Sequence, residues 1–104
     1  MSHFIIAVAN ATTEQRDGLT RYVGTLGGYW HWMPDLWLLN TPGDEDIFDI
    51  RDSLNRNQPL LVCLVLKVTV QTAYDWAGVF PTEAAAQWSE WLNKYWGGGA
   101  PRLP

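Results

Sequence analysis

The stretch "GGYWHWMPDLWLLNT", residues 27–41, holds Trp30, Trp32 and Trp37, three of the chain's seven tryptophans. Two strand-like runs, Tyr29–Met33 and Leu36–Asn40, flank Met33-Pro34-Asp35. Proline cannot donate to a ladder and presets φ for a turn, so the two runs read as a hairpin. Gly27 and Gly28 stand where glycine ends a preceding helix. Strand alternation divides the aromatics, with Trp30 and Trp32 on one face and Tyr29, His31 and Met33 on the other. Trp37 and Leu39 alternate in the same way on the second strand. Three uses for the indoles follow: core, dimer contact, or a platform on which a planar ligand stacks.

Working outward, "HFIIAVA" at residues 3–9 is a β-branched apolar run and reads as a buried strand ending at Asn10. Thr12 with Gln15 forms a capping box. Leu19, Tyr22, Val23 and Leu26 then lie at helical spacing. After the hairpin, Thr41-Pro42-Gly43-Asp44 predicts a helix start, with Pro42 in the first turn and Asp44, Glu45 and Asp46 favoured by the helix dipole. Ile47, Ile50 and Leu54 form its inner stripe. Residues 60–72, "LLVCLVLKVTVQT", predict a long fourth strand, apolar on both faces over 60–66 and one-sided after Lys67. "AYDWAGVF" is an aromatic connection, and Pro81-Thr82-Glu83 opens a last helix with Ala84, Trp88, Trp91, Leu92 and Tyr95 on its stripe.

The predicted class is α+β: a ferredoxin-like β-α-β-β-α-β plan with a four-stranded antiparallel sheet, plus an aromatic C-terminal segment and helix. Right-handed crossovers set the strand order 4-1-3-2. One domain is expected over 1–96, with a flexible tail at 97–104. The fourth strand lies at an edge and is long and poorly protected, so a homodimer through that edge is expected.

The net charge of −4 argues against a broad footprint on duplex nucleic acid. No apolar run approaches the roughly 18 residues needed to cross a bilayer. The N-terminus lacks a basic region and a cleavage site, so a cytoplasmic protein without membrane attachment is expected. Cys63, the single cysteine, lies in "LLVCLVL" and reads as a buried inert thiol. No phosphate loop, H-E-x-x-H or G-x-S-x-G motif is present. No metal or cofactor is expected.

The plan gathers the end of the first strand, the start of the first helix and the hairpin turn at one end of the sheet. Asn10, Thr12, Thr13, Trp30, Trp32, Asp35 and Trp37 are therefore the candidate ligand-binding residues, with Asn57 nearby. Free N–H groups at the helix start suit a phosphate or carboxylate. Each aromatic–base stack is worth roughly 1–3 kcal/mol.

The order of elements, "GGYWHWMPDLWLLNT", "IFDIRDSLNRNQPLLVCLVL" and "YDWAGVF" together resemble the small SinR-like proteins. Those are related in fold to the CRISPR adaptation subunit and to VapD-type toxin ribonucleases. The resemblance spans roughly residues 3–96 and implies a ferredoxin-like homodimer whose edge strands, here the fourth, and C-terminal segments meet across the interface. It also implies a metal-binding aspartate just after the first strand, where this chain reads Val8-Ala9-Asn10. A neutral amide lacks the charge that holds a hard cation. The expected function is thus a non-catalytic homodimeric binding protein, a degenerate nuclease of a mobile element that sequesters a small nucleotide-like ligand. The alternatives are a metal-dependent ribonuclease using Asp35 or Asp75, and a protein-interaction module such as an antitoxin or regulator partner.

Overall fold

The computed structural model describes residues 1–69 and 73–102, excluding the side chains of 73–75, 98 and 100–102. The chain divides into two compact units, Met1–Val68 and Thr69–Pro104, where the sequence suggested one domain over 1–96.

The first unit runs β1 (Ser2–Ala9), α1 (Thr13–Leu26), β2 (Gly28–Met33), β3 (Leu36–Thr41), α2 (Ile47–Asn57) and β4 (Val62–Val68). Its four-stranded antiparallel sheet has the order β2-β3-β1-β4, which read from the β4 edge is 4-1-3-2. On β1, Phe4, Ile6 and Val8 face the helices. Register sets Phe4 beside Leu39 and Ile6 beside Trp37 on β3, and Ile6 and Val8 beside Val65 and Cys63 on β4. Leu19 and Val23 of α1 and Ile50 and Leu54 of α2 close this core. Burial of one side chain of this size is worth about 1.5–3 kcal/mol.

The capping box at the head of α1 forms as the sequence predicts. Thr12 Oγ1 accepts from the Gln15 N–H at 3.1 Å, and Gln15 Oε1 accepts from the Thr12 N–H at 2.8 Å. At the other end Gly27 has an extended φ of 169°, so backbone freedom is not its role. A Cβ there would fall 1.8 Å from the Asn40 carbonyl oxygen, and only glycine lets the chain pass so close to β3.

The predicted start of α2 is displaced. Thr41 is the last residue of β3, paired with Ser2 and buried. The cap is Asp46, whose carboxylate accepts from the Phe48 N–H at 2.7 Å. Pro42 therefore lies in the loop rather than the first helical turn, and Asp44 pairs with Lys67 rather than with the helix dipole. Tertiary pairing of Thr41 outcompetes the local start signal.

The predicted fourth strand is also shortened and redistributed. β4 begins at Val62, residues 70–72 lie outside the described residues, and Ala73–Val79 forms a separate strand, β5. In place of burial on both faces, the side chains of β4 alternate. Cys63 and Val65 are half-buried toward the helices, while Val62, Leu64 and Leu66 are exposed.

The second unit is β5, α3 (Ala85–Tyr95) and β6 (Gly98–Arg102), with β5 and β6 paired in parallel. The segment that reads as a tail thus contributes a strand. Phe80 is buried, stacked on Trp76 at 5.9 Å and edge-on to Trp88 at 5.4 Å. The Trp76 indole N–H donates to the Gly97 carbonyl at 3.1 Å. On α3 the buried residues are Ala85, Ser89 and Leu92, one position removed at its start from the predicted Ala84.

Candidate functional site

The hairpin turn is tied to both neighbouring elements. The Val8 N–H donates to the Asp35 carbonyl at 3.0 Å, joining the turn to β1. Arg16 Nε donates to Asp35 Oδ1 at 2.9 Å, joining it to α1. Asn10, Thr12 and Asp35 thereby meet at one end of the sheet. Asn10 takes a left-handed φ of 55°, a conformation asparagine tolerates better than most residues. It turns the chain from β1 into the cap of α1.

Within this group the polar groups hold one another. Thr12 is engaged with Gln15, and the Asp35 carboxylate with Arg16. Thr13 is the exposed first residue of α1. Asn57 ends α2 in a different hollow of about 310 Å³, shared with Gly18, Arg21, Tyr22, Thr25 and Gln58. The absent side chain of Gly18 makes room there, since a Cβ would fall 2.3 Å from Gln58 Nε2.

The tryptophans separate by face. Trp37 is fully buried among the helix-facing residues, and its indole N–H donates to Thr20 Oγ1 at 3.0 Å. The His31 ring lies flat on it, with centroids 4.1 Å apart and planes 4° from parallel. His31 Nδ1 sits 2.9 Å from the Leu36 carbonyl. Tyr29 stands on the same face, its ring near Gly24 of α1. Trp30 belongs to the opposite face, and Met33, paired with Leu36, lies there too and not with Tyr29 and His31 as alternation predicts, because the register shifts between Trp30 and Met33. Trp30 pairs with Leu38 in register and is buried, whereas Trp32 is 45% exposed. Of the three indoles in the hairpin, Trp32 is the exposed one.

Arg16, Thr20 and His31 are the residues of this region that sequence reasoning did not place. Arg16 and Asp35 are 19 positions apart and Thr20 and Trp37 are 17 apart, and no local pattern couples them. His31 follows Trp30, which is paired with Leu38, so it falls beside Trp37; the strand register that sets this contact is fixed by the fold and not by a local motif.

A second feature lies at the other edge. Val62, Leu64 and Leu66 form an apolar row on the sheet face turned away from the helices, at 63%, 58% and 45% exposure. Lys67, the last residue but one of this strand, lies on the helix side beside Phe4. Its ammonium donates to Asp44 Oδ1 at 3.0 Å and to the Glu45 carbonyl at 2.6 Å. That hydrogen bond and charge hold the Asp44 carboxyl below its usual range. Partial burial raises the Cys63 thiol, which disfavours the thiolate needed for nucleophilic chemistry. Among the described residues, no three metal-ligating side chains stand together, and the Asp75 carboxylate lies outside them. No helix among those residues is long and apolar enough to cross a membrane. Comparison with protein-family models, curated proteins and solved structures gives no match.

Proposed function

We propose that the chain is a non-catalytic, homodimeric binding protein on a ferredoxin-like plan, associating through the β4 side of its sheet. One observation carries this reading: Val62, Leu64 and Leu66 stand exposed in one row on an edge strand. Contiguous exposed apolar side chains mark interaction surfaces, and an edge strand offers unpaired backbone beside them. The low proportion of charged residues, 17%, leaves few groups to solvate such a surface. The strand order and the antiparallel pairing support the ferredoxin-like plan, and the likeness to SinR-like proteins points the same way. Light scattering tests the dimer. The expected mass is twice 11.8 kDa, and a mass of one chain at all concentrations overturns the proposal.

A small nucleotide-like ligand on the hairpin is the reading that the exposure of Trp32 favours, together with its place near the Asn10 turn. A base stacks on an indole without regard to sequence, and the Asn10 backbone turn lies at the same end of the sheet. A thermal-shift panel of mononucleotides and cyclic dinucleotides tests it. A ligand that binds the folded chain raises Tm, and Trp32→Ala should abolish the rise. No shift with any of them removes the ligand and leaves the dimer standing. A ribonuclease built on Asp35 would first have to displace Arg16, so the geometry favours binding over metal chemistry.

A further inference from the structure

The row of Val62, Leu64 and Leu66 is too small to hold two copies together alone. Burying these partly exposed side chains removes on the order of 200 Å² from water. A stable interface takes roughly 800 Å² per partner. A dimer that uses the row must therefore extend beyond it.

The apolar surface continues around the sheet edge. Leu64 also lines a groove of about 250 Å³ between α2 and β4, with Ile47, Phe48, Arg51, Cys63 and Val65. Phe48 is 60% exposed beside it. Between row and groove runs the outer backbone edge of β4, the last strand of its sheet.

The strand also reads alike in both directions. On its open face stand Val62, Leu64, Leu66 and Val68. Two antiparallel copies centred on Val65 set Leu64 against Leu66, Val62 against Val68 and Val65 against itself. A twofold interface requires such self-complementarity. On the helix side Cys63 faces Lys67, which brings together no like charges.

We infer that β4 pairs edge to edge with β4 of a second copy, antiparallel and centred on Val65. The two sheets then become one, and the two Phe48 grooves close against the seam. This rests on the homodimer proposed above and specifies its geometry. Pairing satisfies the edge N–H and C=O groups, and the grooves supply the area that the row lacks.

A short bifunctional thiol crosslinker tests the register in a Cys63→Ser background. Val65→Cys places two thiols directly opposite and should crosslink into a covalent dimer. Val62→Cys faces Val68 of the second copy and should crosslink about tenfold less, since its own partner lies roughly 20 Å along the strand. Phe48→Asp, on an exposed helix position, should weaken self-association about tenfold or more without changing the circular dichroism. If light scattering gives a dimer but Val65→Cys crosslinks no better than Val62→Cys, edge pairing in this register is overturned and the homodimer stands. Undiminished association of Phe48→Asp overturns the role of the groove. A wild-type chain that is monomeric overturns both proposals.

Discussion

At Gly27 the backbone comes so near the Asn40 carbonyl that a single methyl group cannot be placed between them. The residue has no unusual φ to protect, so substitution tests contact alone. Gly27→Ala should destabilise the fold by about 1–3 kcal/mol, the usual cost of overpacking. Urea denaturation checks this. Gly24→Ala is the control, because its added Cβ would meet only the Tyr29 ring at 3.4 Å, and it should be neutral or stabilising. Equal effects of the two substitutions would show that the close approach to β3 is not what fixes glycine at position 27. The same logic of contact over local preference governs the tryptophans. Alternation separates Trp30 from His31, but it does not say which face the helices cover. That is decided by Leu39 and Phe4 meeting Leu19 and Val23, contacts made between distant parts of the chain.

Elements were legible where the signal is local and blurred where pairing over distance decides. The cap of α1 is local. Thr12→Ala removes the hydroxyl acceptor and leaves the Gln15 N–H to water, so it should cost about 1 kcal/mol. The readout is the urea midpoint at unchanged slope, and a loss below a few tenths of a kcal/mol would assign the helix start to packing instead. The hairpin is local too, since Pro34 and the glycines before it leave few alternatives. By contrast, the start of α2 carries two competing caps within six residues. Only the pairing of Ser2 with Thr41 removes the first of them and hands the role to Asp46. The run 60–66 is uniformly apolar, so nothing in it distinguishes a strand buried on both faces from an edge strand with one apolar face exposed. Gly98–Arg102 has the composition of a tail and becomes a strand only through its pairing with β5. The candidate site follows the same division. Its placement at one sheet end follows from topology, while the pairing of Asp35 with Arg16 and the burial of Trp37 depend on packing.

For the whole molecule, the consequence of an apolar β4 is a link between stability and concentration. If two copies bury Val62, Leu64 and Leu66 between them, unfolding releases two chains, and mass action opposes it as concentration rises. A hundredfold rise should stabilise each chain by about 1.4 kcal/mol, half of the ~2.7 kcal/mol that hundredfold mass action supplies to the pair. At about 4–8 °C per kcal/mol for a small domain, that is a shift in Tm of several degrees. Leu64 is the residue to change, because it belongs to both the open-face row and the groove beside α2. Leu64→Glu puts a charge one residue from the centre of the seam, against the apolar Leu66 of the second copy, which leaves it unpaired. In the isolated chain the same side chain points into water, so the folded monomer should survive. The variant is expected to melt cooperatively at one temperature across the whole concentration range, at the mass of a single chain. A wild-type Tm that is equally flat would mean that the exposed row is not buried by a second copy, and that β4 meets a different partner or none.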